Sequence, residues 1–488
     1  MSQTNFLQKF LRSERALPWR AFVVALALRL IVVFILRAMT IGLDDMFQYD
    51  MLARSLLAGN GYRWYAQPDL YLIQQYFEIP TPELYDPRGI LTSFRPPLYP
   101  AFLALVYFFT GVGAQRFFIA RLVQAILNAL LVPLTFWLTR KFFPDQPKAA
   151  RWAAWAVAFY PLLAIYPLSL ATENLFFVLL MLTLLTLATA VESRQTRFFL
   201  LSGLLIGLTA LTRSVFLAFG GLAVLWVFFA IQERRKALLM FIVVSLTVLP
   251  WMARNTLLHG RLTGIESALG YDLYVGYHPE SEGTFKYGIS LDLMPMLDDG
   301  LRDEIGRAKA WEFIQADPGR IPYLAFRRLG FFFGLERRAL TYFYSNNFFG
   351  YIPTPLLLGI AFLVMAPFVL VSSSAVFGLA LGQWNKKNLL LLLLIFGYLL
   401  PHILILGEDR FHLSLVPTFS ILAALCWTGG RQALRTRWSG SRTGKIALTL
   451  ALLATAGLFS NWVFELIRDA GQLALLLGPT GNLTGFPY

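Results

Sequence analysis

The chain has 488 residues, 57% of them hydrophobic and 14% charged, with mean hydropathy +0.59 and a net charge of +14. So much apolar surface excludes a water-soluble globule and makes lipid the solvent for most of the chain. The positive charge falls in short clusters between apolar runs, so it reports membrane topology rather than nucleic-acid binding.

The basic N-terminal run Lys9, Arg12, Arg15, Arg20 leads into an apolar segment reaching Thr40, too long for a cleavable signal. Further apolar stretches lie at 98–112, 116–139, 149–168, 172–191, 198–212, 214–231, 237–252, 353–378, 389–406, 411–428 and 445–466. Basic residues mark the cytoplasmic linkers: Arg140, Lys141, Lys148 and Arg151; Arg194 and Arg197; Arg234 to Lys236; Lys386 and Lys387; Arg431 to Lys445. These linkers share one side only if one early segment does not cross. The segment 98–112 is the candidate, being short, opened by Pro96-Pro97 and interrupted by Pro100. The expected fold is an all-α integral membrane bundle of about eleven crossings, N-terminus cytoplasmic and C-terminus outside. Two large loops, 43–95 and 253–350, then share the outer face and carry juxtamembrane helices. Three parts follow: an N-terminal catalytic module 1–252, the second loop 253–350 and C-terminal helices 351–488. Within the second loop, 301–316 is expected to be helical, and the aromatic, basic 320–340 reads as an interfacial helix or an ordinary packed connector.

Polar residues at the outer ends of these segments are the candidates for chemistry. Asp44 and Asp45 open an amphipathic stretch with Tyr49 one turn on. They read either as a helix N-cap or as a general base whose pKa a like-charged neighbour could lift. Arg95 precedes a double proline that holds the chain extended; a guanidinium there contacts lipid headgroups or takes a phosphate bidentately. Arg121, Gln124 and Asn128 share one face of an apolar crossing, lining either a polar cleft or a structural hydrogen-bond cluster. Glu173 starts a crossing with no adjacent cation in sequence. Arg213 sits at an outer turn where topology does not call for it, as do Arg254-Asn255 and Glu408-Asp409-Arg410-Phe411-His412. That last group also reads as an internal ion pair. There is no P-loop, no glycine-rich dinucleotide fingerprint and no metal-ligand spacing among the four histidines. Cys426 is the single cysteine and lies in an apolar run.

This constellation resembles the GT-C superfamily of membrane glycosyltransferases, in particular the bacterial relatives of protein O-mannosyltransferases and of the lipid A aminoarabinose transferase. Asp45, Tyr49, Ala53, Leu57 and Gly59 match the family's first-loop pattern, which implies that Asp45 is the catalytic base. Arg95-Pro96-Pro97-Leu98 matches a Lys/Arg-Pro-Pro-Leu element, implying a contact to donor phosphate. Thr172-Glu173, Gly203…Gly207…Arg213, Pro250-Trp251…Arg254-Asn255 and Arg410-Phe411…Pro417 match further elements in order. Two departures stand out. Phe94 occupies the place of an acid found in the aminoarabinose-transferase branch, so a divalent metal is not supported and no cofactor is assigned. Asparagines expected in the second loop are replaced near Asp272 and Tyr277.

The resemblance implies transfer of a sugar from a polyprenyl-phosphate donor to a lipid, glycan or protein acceptor on the extracytoplasmic face of the cell membrane. Asp45, with Asp44 and Glu173, would be catalytic; Tyr49, Arg95, Arg121, Arg213, Arg254, Asn255 and Arg410 would bind substrate. The alternative class is a transporter or flippase for a lipid-linked sugar, which calls for internal repeats and a midplane site. A non-catalytic membrane subunit or receptor is a third reading.

Overall fold

The computed structural model describes residues 16–485; Lys9, Arg12 and Arg15 of the basic N-terminal run lie outside them. Helix α1 (Leu17–Ile35) has Pro18 in its first turn, where a missing N–H costs nothing. The first large loop carries α2 (Asp45–Leu57), a two-residue antiparallel ladder pairing Arg63 with Leu91 and Trp64 with Ile90, and then α3 (Leu98–Thr110). Next come α4 (Arg116–Ala129) and α5 (Leu131–Phe142), which run on as one long span, and α6 (Pro147–Ala158). Four helices complete the first half: α7 (Glu173–Ser193), α8 (Thr196–Thr212), α9 (Phe216–Phe229) and α10 (Arg234–His259).

The second large loop holds α11 (Leu269–Tyr277), α12 (Asp299–Ala316), α13 (Arg320–Phe332) and α14 (Arg338–Ser345). The chain then forms α15 (Thr354–Leu381), α16 (Leu389–Leu404), a 3-10 turn over Asp409–Leu415, α17 (Val416–Gly440) and α18 (Arg442–Arg468). The protein is an all-α polytopic membrane bundle. Among the described residues, seven spans are long and apolar enough to cross a bilayer, and 98–110, 196–212, 216–229 and 389–404 are shorter apolar helices. Eleven crossings therefore require α6, α8, α9 and α16 to cross beside those seven. The thirteen residues of α3 rise about 20 Å, short of a hydrocarbon core of about 30 Å.

Packing follows residue size. An added Cβ at Gly203 would lie 2.7 Å from the Met240 carbonyl oxygen, and one at Gly207 would lie 2.6 Å from the Thr247 side chain. The glycine pair thus lets α8 approach α10 closely, as small residues do between membrane helices. The main core gathers alanine, leucine and phenylalanine from α5, α6, α7, α9, α16 and α17.

Two boundaries differ from the sequence expectation. The segment 149–168 is not one continuous helix: α6 ends at Ala158 and a five-residue turn restarts at Pro161, whose ring forbids an unbroken ladder. The helix expected over 320–340 is two, α13 and α14. Arg328 on the first is buried, donating to the carbonyls of Gly276, Ile403 and Leu404, so α13 packs onto the bundle while Tyr323 and Phe326 face outward.

Candidate active site

The site begins at the N-terminus of α2. Asp44 is extended and its Oδ1 accepts the Met46 N–H at 2.9 Å, so it caps the helix. Burial and the neighbouring Asp45 charge both push the Asp44 carboxyl up. Asp45, one residue on, is the partly open carboxylate. Its Oδ1 pairs with the Arg95 guanidinium, and its Oδ2 lies 3.8 Å from Arg410.

A buried acid holds α2 in place. Asp50 receives Arg116 at 2.8 Å, Arg54 at 2.8 Å and the Tyr107 hydroxyl at 3.0 Å, which ties α2 to α3 and α4. Tyr49, buried on the same helix, packs edge-on against Tyr99 at 5.1 Å. The Arg95 guanidinium lies 5.5 Å from the Tyr49 ring and 5.0 Å from that of Phe94, and its Nε donates to Gln48 Oε1 at 2.8 Å. The strand leading to Arg95 is itself clamped. Asp299 Oδ2 accepts from Thr92 Oγ1 at 2.9 Å and the Ser93 N–H at 2.7 Å, while the Tyr62 hydroxyl donates to the Arg95 and Pro96 carbonyls. The second large loop thus fixes the arginine of the first.

Glu173 stands in the first turn of α7, where the helix dipole favours an anion. It is buried, pairs with Arg213 at 2.7 Å, and its Oε2 accepts from Thr172 Oγ1 at 3.1 Å. Arg213 caps α8 in an extended conformation, with its guanidinium 5.4 Å from the Phe411 ring. Arg410 joins the two halves: its Nε donates to Glu408 at 2.7 Å while Nη1 faces Asp45. Glu408 also takes Arg338 at 3.0 Å. These two arginines outweigh the burial cost and hold the Glu408 carboxyl at about 2. A ladder of alternating charge thus runs Arg338, Glu408, Arg410, Asp45, Arg95, beside the Glu173–Arg213 pair. The expected internal ion pair at Arg410 is real, and Arg410 reaches Asp45 as well.

Asp45, Tyr49, Arg95, Glu173, Arg213 and Arg410 come together although they span most of the sequence. Arg254 borders this group: it donates to the Thr92 carbonyl at 2.6 Å and lies 4.9 Å from the Trp251 ring. Asn255 spends its amide on the Gly264 and Ile265 carbonyls, each at 3.0 Å, and so anchors the second loop. Arg121 is not part of the cluster. Its guanidinium is buried and donates to the carbonyls of Leu168, Met39 and Thr40. Gln124 likewise bonds Tyr99, Pro167 and Ser169, and Asn128 bonds Asn174 and Arg29, so this polar face is a structural hydrogen-bond cluster.

Sequence reasoning missed Glu266 and Asp272 on the second loop. Glu266 accepts a hydrogen bond from Ser214, next to Arg213, and burial pushes its carboxyl up. Both are single acids in a mixed loop, with no local pattern to single them out. Among the described residues, one group of metal-ligand type occurs, His259 with Asp298 and Asp299. Its atoms already have partners: His259 Nε2 faces Ser93 Oγ at 2.7 Å, Asp298 caps α12, and Asp299 takes the donors named above. It also sits at a helix N-terminus, which disfavours a cation.

The comparisons bear on this arrangement. The family model for dolichyl-phosphate-mannose-protein mannosyltransferase matches residues 94–253, the stretch from Phe94 through Arg95, Glu173 and Arg213 to Ala253 within α10. The crystal structure of the Archaeoglobus fulgidus oligosaccharyltransferase with Zn and sulfate superposes with a TM-score of 0.50 at 16% identity, covering 96% of this chain and 57% of that one. By fold, the chain is similar to that oligosaccharyltransferase. The apo form of the same oligosaccharyltransferase gives a TM-score of 0.50, 98% coverage of this chain and 61% of that one. The chain thus spans about three-fifths of the length of that protein. ArnT from Cupriavidus metallidurans bound to undecaprenyl phosphate aligns at 15% identity over 85% of this chain and 79% of its own, with a TM-score of 0.39 that carries no argument. No curated protein matches the chain.

Proposed function

We propose that this chain is an inverting glycosyltransferase of the cell membrane that takes a sugar from a polyprenyl-phosphate donor on the extracytoplasmic face. The observation that carries this reading is the meeting of Asp45 with Arg95 and Arg410 beside Glu173–Arg213, drawn from positions 45 to 410. Asp45 takes the proton of the acceptor's hydroxyl or amine as that group attacks the anomeric carbon. The bond to the phosphate oxygen breaks on the opposite side, and its electron pair leaves with the polyprenyl phosphate. Arg95 and Arg410, now neutralised by carboxylates, are the cations a donor phosphate would recruit by charge-assisted hydrogen bonds. Glu173, held by Arg213, orients the sugar. The topology that suits this chemistry keeps the N-terminus in the cytoplasm and both large loops and the C-terminus outside.

The test is turnover of purified Asp45→Asn with polyprenyl-phosphate mannose. Loss of a positioned base costs about 10²–10⁴ in rate, with retained folding and donor binding expected. Wild-type turnover by that variant would overturn the assignment.

A further inference from the structure

One carboxylate beside the charged cluster has no partner. Asp272 lies in the first turn of α11 and is half-buried; its N–H donates to the Ala268 carbonyl at 2.9 Å, and its carboxylate meets no hydrogen-bond or ion-pair partner among the described residues. Its placement follows from its neighbours on the helix. Gly276, one turn on and on the same face, is packed so tightly against the Ile405 carbonyl that an added Cβ would lie 2.2 Å from that oxygen. The Gly407 N–H then donates to the Gly283 carbonyl at 3.0 Å, so the strand running into Glu408 lies along the face that bears Asp272. On the other side, the adjacent Tyr271 ring meets Phe94 edge-on at 5.7 Å, next to Arg95. Asp272 therefore stands between the Arg95 end and the Glu408 end of the ladder, on the wall supplied by the second loop.

Each other acid of the cluster is engaged: Asp44 caps, Asp45 meets two arginines, Glu173 has Arg213, Glu266 has Ser214 and Glu408 has two arginines. The Asp272 carboxylate, half open to solvent, is bonded by no protein donor, so a donor group of a ligand can take the place of water there. We propose that Asp272 is an acceptor-binding residue, whose carboxylate receives a hydrogen bond from a second hydroxyl or amine of the acceptor, beside the group that Asp45 deprotonates. This rests on the transferase reading above and assigns the acceptor side to the second loop. It selects acceptors with a neutral or cationic donor group next to the nucleophile, such as a sugar diol, and rejects those with an anion there.

The electrostatics agree. Burial raises the Asp272 carboxyl to about 7, with Glu266, Asp45 and Glu408 raising it and Arg95 lowering it. Arg302, Asp303 and Arg328 lie on the elements packed against α11: Arg302 donates to the Met296 carbonyl and lies 4.3 Å from the Phe94 ring, with its Nε and Nη2 buried and unbonded, Asp303 meets Arg307 and the Gly270 N–H, and Arg328 meets backbone carbonyls. The proton-accepting form is thus lost as pH falls through about 7.

Two readouts test the proposal on the full chain in lipid nanodiscs. Carbodiimide labelling mapped by peptide mass spectrometry reads the free carboxyl directly. Asp272 should be modified about tenfold faster than Asp45 or Glu173 near neutral pH, since it alone lacks a cation or hydroxyl partner. Asp272→Asn should lose about ten- to a hundredfold in transfer from polyprenyl-phosphate mannose to the acceptors of a membrane extract. Hydrolysis of the same donor, with water as acceptor, should persist, and the transfer limb titrating near pH 7 should flatten. Equal labelling of the three acids, or transfer by Asp272→Asn at the wild-type rate, overturns the proposal. Parallel loss of transfer and hydrolysis reduces Asp272 to a structural residue and also overturns it. A wild-type chain that neither transfers nor hydrolyses, even if Asp272 labels fast, removes the transferase reading and the acceptor role with it.

Discussion

Two buried polar regions of the bundle use the same residue type for different ends. Around Arg121, Gln124 and Asn128 the donors end on backbone carbonyls and amides, so the region is closed and neutral in its bonding. Around Asp45 the arginines end on carboxylates, and those carboxylates are themselves shared. A carbonyl held in a helix turn cannot leave its arginine. A carboxylate can exchange for a phosphate of equal or higher charge with no loss of hydrogen bonding. Partner chemistry, more than burial or residue type, separates the arginines proposed to bind a ligand from the structural ones here.

The contrast breaks first at Arg410. Arg410→Gln keeps length and polarity but removes the charge that faces both Asp45 and Glu408, and should cut kcat/KM for a polyprenyl-phosphate sugar about 10²–10³-fold, as loss of one anion-stabilising donor does. Its melting temperature should shift less than its activity. A variant with wild-type turnover would place the phosphate elsewhere. Arg121→Leu should do the reverse. It strands the Leu168, Met39 and Thr40 carbonyls in an apolar setting, at about 1–3 kcal/mol each, so the yield and melting temperature of folded protein fall. Turnover per folded molecule should stay within about threefold, and a loss matching that of Arg410→Gln would return Arg121 to the site.

The sequence shows the spans because long apolar runs have one explanation in lipid, and it shows Asp45, Arg95, Glu173, Arg213 and Arg410 because unpaired charge at a span's end stands out. It does not show what each charge meets. Arg121 and Arg95 look alike in sequence, yet one faces carbonyls and the other a carboxylate from fifty residues away. Asp50 was equally hidden: its partners Arg116 and Tyr107 belong to later helices, and only Arg54 at i+4 hints at a pair. Asp272 and Glu266 stand among ordinary loop acids. The break in 149–168 was legible in principle, since Pro161 sits within the run, but apolar character outweighed it in the reading.

The smallest effect concerns Glu408, the hub of the ladder. Its carboxyl sits at about 2 in the fold, below the ordinary value near 4.3 in an unfolded chain. A depressed acid contributes stability that is fully present above the unfolded value and lost as pH falls from about 4 toward 2. At pH 7, Glu408→Gln should therefore be less stable than wild type, by at most ~3 kcal/mol from the shift itself, because Arg338 and Arg410 lose their shared anion. The gap should stay constant from pH 7 to pH 5 and narrow below pH 4, where the wild type begins to lose the same charge. Thermal melts of both proteins at pH 7, 5 and 3 read this difference with the other titrating groups common to both. A gap that does not narrow in acid would mean that Glu408 is not held by the two arginines, and the ladder from Arg338 to Asp45 would lose its middle rung.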